Sequence, residues 1–217
     1  MAGEFITPEF PNVVKTQVIT IKSRQRRMVD FYNLPGSIYM AFGKQTPWKS
    51  DTDSEVSDQN PPVPDPNQQY ISELVGCWRI QWKMYAKPLI NPTTAEKNDH
   101  VKPIYENEQI VGYTDGVEEY KGVWYKCTLD QDIALTDGYT CVMLYAYLDR
   151  DDVFPVGVTF RQTGVYVQCT QTQLYIPAST FNNLSPDDRG YLELICNWRP
   201  YMRSAETSEE FYTLFSF

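Results

Sequence analysis

The chain has 217 residues, with 28 acidic against 19 basic side chains for a formal net charge of −9, and it is 42% apolar and 14% aromatic. An acidic chain repels phosphate backbones, which argues against nucleic acid as a partner, and no apolar run approaches the ~20 residues of a membrane-spanning helix. That length suits one large β domain or two small ones.

Residues 1–14 contain Pro8 and Pro11 and little apolar periodicity, which predicts an extended N-terminal arm, free or laid along a neighbouring subunit. KTQVITI (15–21) alternates and predicts a strand. SRQRRMVDFYNLPG predicts a short helix capped by Ser23, with Met28, Phe31 and Tyr32 on one face and Pro35–Gly36 as the stop. Its basic run, Lys22 to Arg27, reads as a solvated helix face. SIYMAF is a second strand. Residues 43–69 form a long irregular stretch, first acidic (Asp51, Asp53, Glu55, Asp58) and then proline-rich (Pro61, Pro62, Pro64, Pro66), so a stiff extended path is expected. A short helix is expected at 67–75, with Asn67 as cap and Tyr70, Ile71 and Leu74 as its stripe.

CWRIQWKMYA (77–86) reads as one amphipathic strand. Trp78, Ile80, Trp82 and Met84 would be buried, and Arg79, Gln81, Lys83 and Tyr85 solvated. A polar, proline-punctuated loop follows over 87–104. QIVGY, VWYKCTL and YTCVMLYAYL are strands broken by Asp-Gly turn signals at 115–116 and 137–138. VTFRQTGVYVQCT predicts a hairpin with Gly164 at its tip, QTQLYI continues the meander, and ASTFNNLSPDDRG is a loop or brief helical turn. YLELICNW and EEFYTLFSF close the chain as strands. The expected class is mainly β, a β-sandwich-like core with two short helices, long irregular loops and the N-terminal arm. Residues 15–217 are expected to form a single domain.

No catalytic constellation emerges. His100 is the single histidine and sits in a polar loop segment, and no GxSxG, HExxH or glycine-rich phosphate loop occurs. The five cysteines (77, 127, 141, 169, 196) show no CxxC spacing, so no zinc site is expected and reduced, mostly buried thiols of a cytosolic protein are. MAGEFITPEF lacks the pattern of a signal peptide. Asp149, Asp151 and Asp152 form the densest acidic cluster. They read as a charged turn more readily than as a calcium loop, which lacks its glycine and terminal glutamate here, or as an acid–base pair. No cofactor, metal or catalytic residue is assigned.

Two stretches suggest contact with other proteins. In YMAFGKQTPWKS, Pro47 fixes the backbone before Trp48, which is either tucked under the sheet or offered to a partner. In the last strand, Phe211, Thr213, Phe215 and Phe217 share one face and Tyr212 and Leu214 the other. Both faces are largely apolar, so the strand must be covered on both sides, within its own sandwich or across a subunit boundary. The interface candidates are Pro47, Trp48, Phe211, Tyr212, Leu214, Phe215 and Phe217. The aromatic content fits interfaces and strands alike.

RRMVDFYN (26–33), SIYMAFGKQTPWKS (37–50), the following PPVPDP, VWYKC (123–127), YLD with FP (147–155), FRQ (160–162), YLELICNWRPYM and EEFYTLFSF occur in an order that resembles the gene-eight baseplate wedge protein family of T-even-type contractile-tailed bacteriophages. The matches cover about half the chain. The family's well-known member carries a large middle insertion, and residues 88–138 look like a reduced version of it. The resemblance implies a non-enzymatic structural subunit of the virion tail baseplate, assembled in the host cytoplasm, that forms a homodimer and binds other baseplate wedge proteins. A β-sandwich carbohydrate-binding module, with Trp48 and Trp124 stacking on sugar rings, is the alternative. A hydrolase built on the 149–152 carboxylates is a third reading.

Overall fold

The computed structural model describes residues 19–217 except 50–54, 108, 150–151 and 205. The expected arm over 1–14 and residues 15–18 of the first expected strand lie outside the described residues. What is described of that strand differs from expectation. Ile19 and Thr20 are not in a strand, and Ile21 opens helix α1 (Ile21–Tyr32). Thr20, not Ser23, is the N-cap, and its side chain accepts from the Ser23 amide. Met28 and Phe31 are buried as expected. The buried face also runs back to Gln25, whose amide nitrogen donates to the Leu135 carbonyl at 2.7 Å.

The described residues are mainly β, with five short helices among them where two were expected. The strands in order are β1 (Ser37–Gly43), β2 (Gly76–Arg79), β3 (Trp82–Pro88), β4 (Pro103–Glu106), β5 (Gln109–Tyr113), β6 (Gly116–Tyr120), β7 (Val123–Thr128), β8 (Cys141–Leu148), β9 (Thr159–Cys169), β10 (Tyr175–Pro177), β11 (Tyr191–Met202) and β12 (Glu209–Ser216). The added helices are α2 (Thr94–Lys97), α3 (Gln131–Thr136), α4 (Ala178–Asn182) and α5 (Pro186–Arg189), all of six residues or fewer; the side chains of Thr93, Asp130 and Ser185 cap α2, α3 and α5, and α4 starts after Pro177 with no side-chain cap. One antiparallel sheet has the order β10-β2-β1-β9-β11 and the other β12-β8-β3-β7-β6, with β4-β5 as a separate hairpin.

The stretch 77–86 is not one strand. Ile80 makes the last link to the first sheet (N–H to Ile38 O, 2.8 Å) and Gln81 the first link to the second (N–H to Tyr145 O, 3.0 Å). The Gln81 side chain also takes the Tyr147 amide (2.7 Å) and donates to its carbonyl (2.8 Å). This hand-over changes which face is which. Trp78 and Ile80 lie in the layer between the sheets, but Trp82 and Met84 pack on the outer side of the second sheet. Tyr85, expected in solvent, is buried in the inter-sheet layer.

Two further corrections concern 67–75 and Gly164. No helix forms at 67–75. Asp65 takes the Asn67 amide in a side-chain turn (2.8 Å), Glu73 adopts a left-handed φ of 44°, and Gln162 captures the Ser72 amide (3.0 Å), so neighbouring side chains satisfy the backbone instead. Gly164 is no hairpin tip but the middle of the continuous β9. A Cβ there would meet Ile71 at 2.5 Å and Leu192 at 2.8 Å, and this close approach is why glycine stands in mid-strand.

Three apolar layers result. The middle one joins the sheets through Met40, Phe42, Trp78, Val142, Leu144 and Val165, and α1 closes one end of it with Met28 and Phe31. An outer layer on the first sheet holds Tyr39, Cys77, Tyr166 and Phe181. Another on the second sheet holds Met84, Cys127, Met143 and Tyr145 beneath Val101 and Tyr113. Four of the five free cysteines are buried among these layers and Cys196 is half-buried, as expected. Sheets buried on both faces need apolar residues at successive positions, and β8, CVMLYAYL, is such a run.

Phe42 is fully buried and meets the ring edges of Phe154, Phe160 and Phe211 at centroid distances of 4.9, 4.9 and 5.0 Å. Phe42→Ala is expected to lower stability by ~3–5 kcal/mol, read as a shifted denaturant midpoint with unchanged slope.

Candidate functional site

The long segment after β1 is fastened against β9 and β11. Arg161, 7% exposed, grips both Asp58 carboxylate oxygens through Nε (2.7 Å) and Nη2 (2.9 Å) and donates from Nη1 to the Gln45 carbonyl. Asp58 also accepts the Trp48 amide at 2.9 Å. A bidentate pair fixes both position and angle, so one contact sets the course of the loop. Asn197 donates to the Pro62 carbonyl (2.9 Å) and Arg199 to that of Gln59 (3.2 Å). At the near end Glu73 accepts the Thr46 hydroxyl (2.6 Å), the Thr46 amide (2.7 Å) and the Lys44 ammonium (2.9 Å). The Thr46 hydroxyl and Lys44 hold the Glu73 carboxyl down to about 2, and the Arg161 hydrogen bonds hold Asp58 below the ordinary carboxylate range.

Beside this clasp the sandwich is open. β11 and β12 are edge strands of their sheets, and a groove of about 800 Å³ lies between them. Met40, Phe160, Val165, Leu194 and Phe211 contribute its apolar wall, and Trp198, Lys121 and Arg199 stand among its lining residues. Lys121, on the turn between β6 and β7, sits 5.2 Å from the Tyr120 ring and 5.5 Å from the Trp198 ring, so the turn of one sheet meets a strand of the other.

The second sheet curls until its two edge strands touch through side chains. Tyr212 donates to the Glu119 carbonyl (3.0 Å), and the Tyr120 and Thr213 hydroxyls meet at 3.3 Å. The Tyr113 hydroxyl donates to the Glu210 carboxylate. Glu118 lies in the same seam, and burial together with the Glu210 charge pushes its carboxyl up to about 7.

The sequence candidates fall in two places. Phe211 and Phe215 pack into the middle layer with Phe217, and Tyr212 and Leu214 pack on the outer layer of the second sheet. β12 pairs with β8 from Glu209 to Ser216, and the Phe217 amide reaches the Thr140 carbonyl at 3.0 Å. The last strand is therefore covered on both faces by its own chain. Trp48 is half-buried. Its ring nitrogen donates to the Trp198 carbonyl (3.0 Å) and Lys44 lies over the ring, while Pro47 is exposed. Trp124, on β7, lies 5.7 Å from His100 and 5.7 Å from the Lys97 ammonium. The two tryptophans offered as sugar platforms thus belong to different parts of the fold and each carries a lysine over its ring.

Asp151 lies outside the described residues. Asp149 and Asp152 close a turn, with the Asp149 amide donating to the Asp152 carboxylate (2.5 Å) and the Ser208 hydroxyl to that of Asp149 (2.7 Å). Buried Arg203 stitches this turn through the carbonyls of Phe154 (2.8 Å) and Asp149. Among the described residues no group of three or more His, Cys, Asp or Glu is placed to hold a metal ion, and no helix is long and apolar enough to cross a membrane.

Sequence reasoning missed Arg161, Asp58, Arg203 and Glu118. Arg161 and Gln162 stand in the FRQ stretch noted above, and a basic residue inside an apolar strand was the available signal that it has a buried acidic partner. Nothing local marks Asp58 as that partner among its acidic neighbours.

The family profile described as "Baseplate wedge 3 tail fiber network component" matches residues 17–217. The chain is also similar to "Virion protein 3" of Enterococcus phage phiEF24C, with 27% identity over 152 residues, covering 69% of this chain and 67% of that protein.

Two pH responses of opposite sign follow. The Glu73 carboxyl is depressed in the folded chain, so its contribution is present above about pH 4.5 and lost as pH falls toward about 2, and Asp58, depressed by its Arg161 hydrogen bonds, loses its contribution as pH falls below the ordinary carboxylate range. Limited proteolysis should cut the 44–68 loop faster on acidification, and Asp58→Asn should give fast cutting at neutral pH too. Glu118 is raised, so its contribution is present below about 4.5 and lost as pH rises through about 7. The thermal midpoint of Glu118→Gln should vary less than that of the parent between pH 5 and 8. Equal pH profiles would remove the seam from consideration.

Proposed function

The chain belongs to the family of baseplate wedge 3 tail fiber network components, and on that premise we propose that it is a structural subunit of the baseplate wedge of a contractile phage tail, which pairs with a second copy and binds other wedge proteins during assembly. As a member of that family it is a structural component of the virion tail. The role is that of a scaffold and not of an enzyme, and residues 88–138 are read as a reduced insertion carried on the second sheet.

The observation that supports a scaffold is the Arg161–Asp58 fork. The described parts of the segment between β1 and β2, residues 44–49 and 55–75, belong to no helix or named strand, and such a segment is normally costly to order, yet a charged pair fastens Asp58 against a double-sided β core. Such a loop presents a constant surface, as a part that must fit several neighbours at once requires. Pro47, exposed beside the anchored Trp48, is the member of the candidate set best placed to meet another protein without disturbing the core. Phe211, Tyr212, Leu214, Phe215 and Phe217 would act indirectly in this reading, by holding the edge of β12 in place.

The test is co-elution of the purified protein with the other tail proteins of its source, alongside light scattering. The expected result is the mass of a dimer and capture of at least one wedge protein. Pro47→Arg should weaken that capture by roughly tenfold while leaving the thermal midpoint unchanged. A clean monomer at micromolar concentration, or capture indifferent to Pro47, would count against the corresponding half of the reading.

A further inference from the structure

β6 is the last strand of the second sheet, and its hairpin with β7 turns through Lys121 and Gly122 (φ 52° and 80°), the two left-handed positions of a tight two-residue turn. Backbone bonds pin the root of this hairpin. Val117 exchanges bonds with Asp99 and Val101 (2.8 and 3.1 Å), and β7 is laddered to β3 from Tyr125 to Thr128, with the Leu89 amide adding a bond to the Trp124 carbonyl (2.8 Å). The tip, Glu118 to Val123, is different. Among the described residues its outer side meets the rest of the fold through side chains and no backbone ladder. Tyr212 donates to the Glu119 carbonyl (3.0 Å), the Tyr120 and Thr213 hydroxyls meet (3.3 Å), and Lys121 lies 5.5 Å from the Trp198 ring on the other sheet. Tyr120, Lys121, Trp198 and Thr213 all line the apolar groove, so the tip stands across it.

We infer that this tip is a flap over the groove, latched by those side chains to β12 and β11 and released when Glu118 ionises beside Glu210.

The surroundings of Glu118 set the direction of the response. The half-buried carboxyl faces Glu210 and Tyr212 of β12, Cys127 and Tyr125 of β7 and Tyr145 of β8, with Glu119 next to it in β6, and none of these is a cation. Glu210 accepts the Tyr113 hydroxyl, which suits a charged carboxylate. With the flap down, burial and the Glu210 charge push the Glu118 carboxyl up to about 7, against an ordinary value of 4.5 once it reaches water. The closed form is therefore favoured while Glu118 is protonated and loses that advantage as pH rises through about 7. Glu118 and Tyr120 lie two positions apart on one side of β6, so a carboxylate that swings toward water draws the Tyr120 hydroxyl from Thr213.

A native thiol reports the movement. Cys196 pairs with Thr163, whose hydroxyl takes the Trp198 ring N–H (2.7 Å), and the Lys121 charge reaches its sulfur. Cys196 is half-buried, whereas Cys77, Cys127, Cys141 and Cys169 are buried.

The experiment labels the full chain with 4,4′-dithiodipyridine and follows each cysteine by peptide mass. The rate at Cys196 is taken as the ratio of parent to Glu118→Gln at the same pH, which cancels the thiolate fraction. The expected ratio is near unity at pH 5 and at least ~10-fold at pH 8, with the four buried thiols unlabelled. Tyr212→Phe, which removes one latch bond and no charge, should label roughly 5-fold faster than the parent at pH 5. A ratio that stays constant with pH would overturn the inference. So would Tyr212→Phe labelling at the parental rate, or buried cysteines that react in step with Cys196, since unfolding and not a flap would then expose it.

Discussion

Two sheets share one apolar layer because a single stretch of chain, Gly76 to Pro88, belongs to both of them. The transfer takes two residues. Ile80 still bonds to β1 and Gln81 already bonds to β8, while the Trp78 ring nitrogen donates to the Tyr147 carbonyl at 3.0 Å across the gap. A sandwich joined only by loops resists sliding of its sheets through side-chain packing alone. Here backbone hydrogen bonds and an indole pin the register of one sheet to that of the other, and the positions of Phe42, Phe154, Phe160 and Phe211 within the layer follow from that.

The same economy governs the irregular segments. Two arginines that would be costly to bury alone meet acceptors: Arg161 meets Asp58 and the Gln45 carbonyl, and Arg203, through its two terminal nitrogens, meets carbonyls of the turn after β8, its buried Nε having no partner among the described residues. In each case a buried cation organises a stretch of chain that has no ladder of its own. Removing either one leaves carbonyls or a carboxylate without their donor, so loop course and core integrity are tied to the same few groups. The acid–tyrosine seam of the second sheet works by different means, with a half-buried carboxyl, Glu118, held near another, and it responds to pH in the opposite direction from the clasp.

Much of the fold is written locally. β1, β7, β8 and β12 follow from alternation or from unbroken apolar runs, and the helix over Met28 and Phe31 from its stripe. The failures share a cause. Across 77–86 the apolar positions continue without a gap, so periodicity alone does not reveal that the sheet changes at Ile80. Ile71 and Leu74 look like a helical stripe, yet Gln162, some ninety positions later, claims the backbone at Ser72. Gly164 resembles a turn because its true reason is the space taken by Ile71 and Leu192. The Arg161–Asp58 pair spans 103 positions, and no local pattern encodes a distance of that kind. The family resemblance reached further than the pattern reading, because an ordered set of short matches carries information about the whole chain, and the family found is again one of baseplate wedge components.

The final strand has a mechanical side. Eight residue pairs join β12 to β8, from Glu209↔Leu148 to Ser216↔Cys141, and both faces of β12 are packed. Tension applied along the strands spreads over every rung of that ladder together, whereas a sideways tug peels the rungs one after another. A tail part anchored so that traction runs parallel to β12 would hold firm under strokes that strip the same strand when directed across it.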